Sequence, residues 1–446
     1  MQQLINICKG LDVRLKGEAP LDMLSFSTMH YALVPDDFRW ITPKLCVKEG
    51  DTVKVGTPVF YAKENEKIVF VSPVSGMVAA IVRGEKRKIE YIQFLSDGKF
   101  DSVPVEIPTA FNPNVIRETL QKYGLWNLLR ERPFNRIAQT EATPKAIFIS
   151  GFDTAPLAPD YAFLVDGRQA ELQKGIDVVV QLTSGKCYFS LYKDRNNAIF
   201  EQLANVEFRY FAGKHPAGNI GTQIHKIAPV NKGEIVWHIN PQALVMIGKL
   251  FLYRKLDFSK RVVLCGSGIK RAGYFDLVQG AAVETALQDS LMCEMPRIVS
   301  GNVLTGKKID ISGFTGWYDN QLTVIPEGGE RKLFGWMAPG FRQWSFSHSY
   351  LSWFFPKKKY NFDTALHGGV RTLMLHTEYE KVFPFDILPA ELLKACIVED
   401  IDLMEALGIY EVTEEDFALC EVICPSKIEW QELIFKGLTL LYDSTR

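Results

Sequence analysis

Apolar and polar residues alternate with a short period near the start of the chain and with a helical period towards its end, and turn residues punctuate both. Between 48 and 82, β-rich runs at Pro58–Ala62, 67–71 and 77–82 are separated by Gly50-Asp51, Val55-Gly56, Glu64-Asn65 and Ser75-Gly76. Short strands closed by such turns are the punctuation of a small all-β sandwich or barrel of paired hairpins. After Pro104, Pro108 and Pro113 the period changes: Val115, Leu120, Tyr123, Leu125, Trp126 and Leu129 predict a helix over 114–129. Asn112 and Pro113 supply its N-cap and first-turn proline.

The run 145–150 reads as a buried strand, and 176–182, 186–191 and 206–210 as further strands, with a helix over 194–204. Strands alternating with helices predict an open α/β sheet. A second β-containing unit is expected from 261–266, 297–300, 321–326 and 333–336, and a mostly helical section over 389–442 broken at Gly408 and Pro425.

Composition sharpens this picture in three ways. At 446 residues and 47% hydrophobic content the chain exceeds one core, so two to four domains are expected. Its 51 basic and 52 acidic residues nearly cancel, so nothing steers the chain as a whole toward nucleic acid or an anionic membrane surface, and only local patches stay open. Eight scattered cysteines in apolar surroundings read as reduced thiols rather than a disulfide framework. No signal peptide is expected at the N-terminus, and the most apolar window, 243–252, is cut by Lys249 and is too short to span a bilayer. Tyr350, Leu351, Trp353, Phe354 and Phe355 precede Lys357, Lys358 and Lys359, the order of an interfacial contact. With Pro356 between the halves, a core strand ending in a solvated basic loop is the preferred reading of 349–360.

Candidate chemistry is sparse. Ser150-Gly151-Phe152-Asp153 follows a strand but has one glycine where a dinucleotide turn needs three, and Cys265-Gly266-Ser267-Gly268 reads better as a hairpin turn. No Walker lysine, His-Glu-x-x-His or Gly-x-Ser-x-Gly occurs. Cys420 and Cys424 share a face if helical, but two thiols do not hold a cluster or a structural zinc, and buried thiols are the preferred reading. His215 and His225 lie in HPAGNIGTQIH, where a loop-stabilising hydrogen bond is the preferred role of His215 and a ligand contact the alternative. No catalytic or metal-binding residue is assigned.

Two resemblances extend the reading. Gly50-Asp51, Gly56 and Pro73-Val74-Ser75-Gly76 resemble the biotinyl/lipoyl barrel-sandwich module, but the hairpin tip at 62–67 lacks the Met-Lys-Met of biotin acceptors, so no biotin or lipoate is expected. In order along the chain, Lys9-Gly10-Leu11-Asp12, Gly124-Leu125-Trp126 with Arg132-Pro133-Phe134, Asp153-Thr154-Ala155-Pro156-Leu157-Ala158, and HPAGNIGTQIH with Pro229-Val230-Asn231 are followed by four more strings. These are Gly248-Lys249-Leu250-Phe251-Leu252, 300–306 (SGNVLTG), Leu333-Phe334-Gly335-Trp336, and Ala418-Leu419-Cys420 through Cys424-Pro425. This series resembles the A-subunit family of sodium-translocating NADH:quinone oxidoreductases.

The resemblance implies an α/β and β multidomain fold. It places a barrel-sandwich hybrid at 1–108, a Rossmann-like α/β domain with a helical lead-in at 109–258, a β-grasp domain of the soluble-ligand-binding type at 259–340 and a mainly helical section at 341–446. The architecture is similar to the NADH- and flavin-binding subunit of respiratory complex I and to the C subunit of the Rnf complex, whose glycine-rich flavin loop and cysteine clusters the sequence lacks. It implies a peripheral subunit on the cytoplasmic side of the bacterial inner membrane, in a complex that reduces quinone with NADH and exports Na+. That complex uses FAD, FMN, riboflavin, an iron-sulfur centre, NADH and quinone, and no flavin, iron or metal is expected on this chain itself. The implied partners are the B, C, D, E and F subunits, above all the membrane-embedded B subunit. Phe134, Phe152 and His215, in loops between predicted elements, are the candidates for lining a quinone cleft. Two alternatives stay open: a flavin- or NADH-binding dehydrogenase component, and a scaffold that binds no small molecule.

Overall fold

The computed structural model describes residues 4–108, 111–288, 290–328, 339–341, 343–374 and 377–445. Where the turns predict a β module, Pro43–Leu45, Pro58–Ala62 and Asn65–Val71 form one antiparallel sheet. His30–Leu33, Thr52–Val53, Gly76–Arg83 and Ile89–Ser96 form a second. Phe60, Phe70, Val78 and Phe94, all fully buried, fill the core of this barrel-sandwich. Gly76 is required at its turn: φ is +145°, and a Cβ there would sit 2.0 Å from the Leu95 carbonyl oxygen.

Asn112 caps the next helix as predicted, its side chain accepting from the Val115 N–H, and the helix runs over Pro113–Lys122 before a short 3-10 turn at Trp126–Leu128. The α/β sheet has seven strands in the order Leu4–Ile7, Glu207–Gly213, Lys186–Tyr192, Ala146–Ser150, Val236–Ile239, Arg130–Arg132, Arg136–Ile137. The first five run parallel and the last two close it as an antiparallel hairpin. After Ala146–Ser150 the chain builds outward on one side, then crosses back to place Val236–Ile239 on the other. Strand order therefore reverses between these two. Both faces are covered, so Ile147, Phe148 and Ile149 are all fully buried.

The expected strand over 176–182 is instead the end of helix Gln169–Val179 and a 3-10 turn, Val180–Leu182. Its β-branched run favours a strand in isolation, but tertiary packing overrides that preference. Leu172, Ile176 and Val179 are buried, and the helix lies against Pro241–Tyr253 through two glycines. A Cβ on Gly175 would lie 2.0 Å from the Leu244 carbonyl oxygen, and one on Gly248 1.8 Å from that of Glu171. The expected helix over 194–204 shrinks to the single turn Ala198–Glu201. Asn196 Oδ1 accepts from the Ala198 N–H, and Asn197 Nδ2 donates to the Tyr192 carbonyl at 2.9 Å, which holds the preceding residues in a turn.

A mixed five-stranded sheet follows, ordered Gly273–Val278, Ser259–Cys265, Gln321–Pro326, Pro296–Ser300, Lys307–Ile309, in which only Ser259–Cys265 and Gln321–Pro326 pair in parallel. Cys265-Gly266 opens the connection between antiparallel strands, as a hairpin turn should. The strand expected over 333–336 lies outside the described residues. The segment 349–360 corrects the core-strand reading: it contains a 3-10 turn, Leu351–Phe354, with Trp353, Phe354 and Phe355 exposed. The C-terminal section is helical as expected, with Glu378–Val382, Pro389–Ile397, Ile401–Ala406, Ala418–Ile423 and Trp430–Ser444 around Leu392, Met404, Phe417, Trp430 and Leu438.

The two glycines at the helix contact leave no room for a methyl group without backbone movement. Gly175→Ala and Gly248→Ala should each lose about 1–3 kcal/mol of stability, the usual cost of overpacking. Urea midpoints at constant m-value measure this, and a variant as stable as the parent would contradict the contact.

Candidate functional site

In open α/β sheets, ligands sit outside the carboxyl ends of the strands where strand order reverses. Here that point lies between Ala146–Ser150 and Val236–Ile239, and a cavity of about 270 Å³ opens there. Ser150 and Asp153 enter it after the first strand, and His238, Ile239 and Asn240 from the second. Helix Pro241–Tyr253 starts at its wall: Asn240 caps it by accepting from the Gln242 N–H at 2.8 Å, and Gln242, Ala243 and Met246 also line the cavity. The loop at 215–220 and the mixed sheet close the remaining sides, the latter through Lys260, Gln279, Asn302 and 317–321.

Few of the charges at this cavity are free. Lys260, 2% exposed, donates to the carbonyls of Gly316, Trp317 and Asp319 at 3.1, 3.0 and 2.6 Å. All three of its protons are thereby used, and burial lowers its pKa to about 8. Its role is to tie down the loop that carries Trp317 and Tyr318. Asp37 supports the same loop by accepting from the Trp317 N–H at 2.9 Å, and burial raises its pKa to about 6. The Arg130 guanidinium lies 4.6 Å from the Tyr318 ring centre, and burial lowers its pKa. Burial likewise raises the pKa of Asp153 and of Tyr161, keeping the phenol protonated.

Both histidines at the cavity are neutral. Burial pulls His215 down to about 4, and burial together with Arg130, Arg132 and Arg39 pulls His238 well below its ordinary value. His238 Nε2 contacts Asn135 Oδ1 at 2.9 Å. The Thr154 hydroxyl accepts from the Gly218 N–H at 2.8 Å and lies 3.1 Å from His215 Nδ1. A Thr154 proton given to Nδ1 leaves the ring proton on Nε2, which has no protein partner among the described residues. Gln279 donates to the Trp317 carbonyl at 3.0 Å, while its Oε1 is buried without a partner.

Of the three residues singled out in the sequence, His215 lines this cavity and the two phenylalanines do not. Phe134 packs into the helical section, with ring centres of Trp40, Tyr410 and Tyr442 at 6.0, 6.2 and 5.6 Å. Phe152, 1% exposed, packs beneath the sheet edge on Tyr192, Phe211, Ile7 and Ala217. Sequence reasoning missed the rest of the lining, because it converges from segments far apart in the chain. The one local signal was Asn240-Pro241, an N-cap and first-turn proline at the end of a strand.

The turn after the first strand and the cysteine pair are two cofactor candidates in the sequence. No helix begins directly after Ala146–Ser150; the chain runs through 151–160 to the four-residue helix Tyr161–Leu164, so no long helix N-terminus faces a pyrophosphate at this turn. Cys420 and Cys424 are buried, and the Tyr379 hydroxyl donates to Cys424 Sγ at 3.2 Å. No cluster of three or more metal-ligating side chains occurs among the described residues.

Fold and site together define a multidomain α/β protein with a cavity at the switch point of its parallel sheet. Three family models match in sequence order: the NqrA N-terminal barrel-sandwich hybrid domain over 5–97, the NqrA second alpha/beta domain over 111–256 and the NQRA C-terminal domain over 262–310. The chain is 36% identical to the A subunit of the Na(+)-translocating NADH-quinone reductase of Pasteurella multocida over 98% of both chains, and 36% identical to that of Neisseria meningitidis serogroup A over the same shares. The chain belongs to the family of A subunits of the Na(+)-translocating NADH-quinone reductase. Among solved structures, a chain of an NAD+-reducing [NiFe]-hydrogenase is similar over 75% of this chain and 62% of its own length, at 12% identity and a TM-score of 0.38, too loose a superposition to compare sites.

The depressed pKa of His215 sets a stability window. An unfolded imidazole titrates near 6.5 and the folded one near 4, so between these values the unfolded chain binds a proton that the folded chain excludes. Stability from this group is present above pH about 6.5 and falls as the pH drops towards 4, by up to about 3 kcal/mol. His215→Asn should lose less stability than the parent between pH about 7 and 4.5 in urea titrations. Equal losses would remove burial of His215 as the cause.

Proposed function

We propose that this chain is the peripheral, redox-silent subunit of a membrane complex that reduces quinone with NADH and couples this to sodium export. Its similarity to A-subunit relatives over 98% of their length carries this reading. No helix among the described residues is long and apolar enough to cross a membrane, consistent with a chain held at the membrane by partner proteins on the cytoplasmic side, above all the B subunit. The absence of the three-glycine fingerprint and the two-thiol donor set support a chain without its own flavin or iron-sulfur centre.

The switch-point cavity offers room for a quinone head group. Apolar cavities of about 150 Å³ hold a benzene ring, so the volume is sufficient. Neutral His215 offers an N–H to a quinone carbonyl, and the unpartnered Gln279 Oε1 offers an acceptor to a quinol hydroxyl. Met246 and Ile239 supply apolar wall. A pocket with apolar wall and a few placed polar groups suits a ring with polar carbonyls.

Tagged chain drawn from gently solubilised membranes should bring sodium-stimulated, NADH-driven quinone reduction with it. Recovery of the chain alone and inactive would overturn the assignment to the complex. Calorimetry with a short-chain quinone should show saturable binding to the purified chain, weakened about fivefold to tenfold in His215→Ala, the loss of one hydrogen bond. The His215 imidazole stays neutral between pH about 6 and 8, so parent and His215→Ala should show the same pH profile of binding across that range. No binding, or unaltered affinity in the variant, would remove the quinone role from this cavity.

A further inference from the structure

Residues 339–362 carry nine aromatic residues among 24, against 12% in the whole chain, together with four basic residues and no acidic one. Part of this segment is pinned. Ser352 and Tyr360 are buried, the Tyr360 N–H donates to the Arg14 carbonyl at 2.8 Å, and the Lys16 N–H donates to the Tyr360 carbonyl at 3.0 Å. Above these anchors Trp353, Phe354 and Phe355 are 50%, 61% and 56% exposed, with the Trp353 and Phe354 rings stacked at 4.2 Å. Single exposed apolar side chains need no explanation, but three successive bulky rings on a held turn do. Lys357, Lys358 and Lys359 follow at once; Lys358 Nζ donates to the Phe341 carbonyl and Lys359 pairs with Glu18 at 2.5 Å.

We propose that this turn rests on an anionic bilayer surface, with the Trp353, Phe354 and Phe355 rings at headgroup depth and Lys357 and Lys358 against lipid phosphates. The composition favours lipid over a protein partner. Protein interfaces gather aromatic residues but shed lysine, whereas membrane surfaces collect both. The proposal goes beyond the assignment above, which brings the chain to a membrane without naming the face that meets it. This surface is separate from the switch-point cavity, so its test is independent of quinone binding.

Purified full-length chain, mixed with vesicles of phosphatidylethanolamine and phosphatidylglycerol at low salt, should co-sediment with them. It should bind far less to pure phosphatidylcholine, or at salt of about 0.5 M, where exposed charges are screened. Each lysine at an anionic surface contributes about fivefold, so Lys357→Gln with Lys358→Gln should weaken partitioning about 25-fold. Trp353→Ser with Phe354→Ser should weaken it as well, with circular dichroism unchanged because these side chains are exposed. No partitioning of the parent chain, or equal partitioning of parent and variants, would overturn the proposal. Variants that bind vesicles like the parent but no longer retain the membrane-embedded partners would overturn it too, assigning the turn to a protein partner.

Discussion

Arg132 holds a positive charge almost entirely away from water, with its side chain 2% exposed. Its partners, Glu415 and Asp416, arrive from a helical section nearly 300 residues further along the chain, the latter at 3.3 Å. A buried ion pair adds little net stability, but losing one partner leaves the other charge stranded, typically at about 3–5 kcal/mol. Arg132 therefore fixes where the C-terminal section sits, and Arg39 with Glu414 ties the barrel-sandwich to the same acidic turn. The cavity inherits its character from this knot. Glu415 and Arg130 lie on its wall, and the three arginines help keep His238 uncharged.

The other determinant is backbone geometry. Helices Gln169–Val179 and Pro241–Tyr253 touch where Gly175 and Gly248 expose bare backbone, which brings them down on one face of the sheet while Ile220–Ile227 covers the other. The chain must return past its starting strand to lay down Val236–Ile239, and the gap left at the crossing is the cavity. Several of the titratable groups in that gap are held uncharged or already paired. Lys260 has spent its protons on carbonyls, and burial keeps Tyr161 and the histidines neutral. The site favours uncharged, ring-shaped ligands for reasons of packing as much as of chemistry.

What could be read from residue order was what local physics decides. The Gly50-Asp51 and Ser75-Gly76 turns, the Asn112 cap, the buried run 146–149 and the helical periodicity after Pro389 all describe elements whose signals lie within a few residues. What depended on distant partners was hidden. The β-branched run 176–182 is helical because Gly175 meets a second helix some 70 residues later, and Phe134 and Phe152 are buried by packing partners that no spacing rule reveals. His215 was findable because a histidine in a Gly- and Pro-rich loop is conspicuous by itself. Gln279 and Lys260 gained meaning only when the sheet order was known.

The edge strand Leu4–Ile7 pairs with Glu207–Gly213, a partner about 200 residues further along the chain. At synthesis rates of about 5–20 residues per second, this strand waits roughly ten to forty seconds for its hydrogen-bonding partner. Ile7 is buried against Phe152 and Phe211 in the finished sheet, and until Phe211 has been made that apolar side chain has no home. This strand is thus fixed well after the hairpins of the barrel-sandwich, and in a growing chain it stays open to capture by a chaperone or by a neighbouring nascent chain until then.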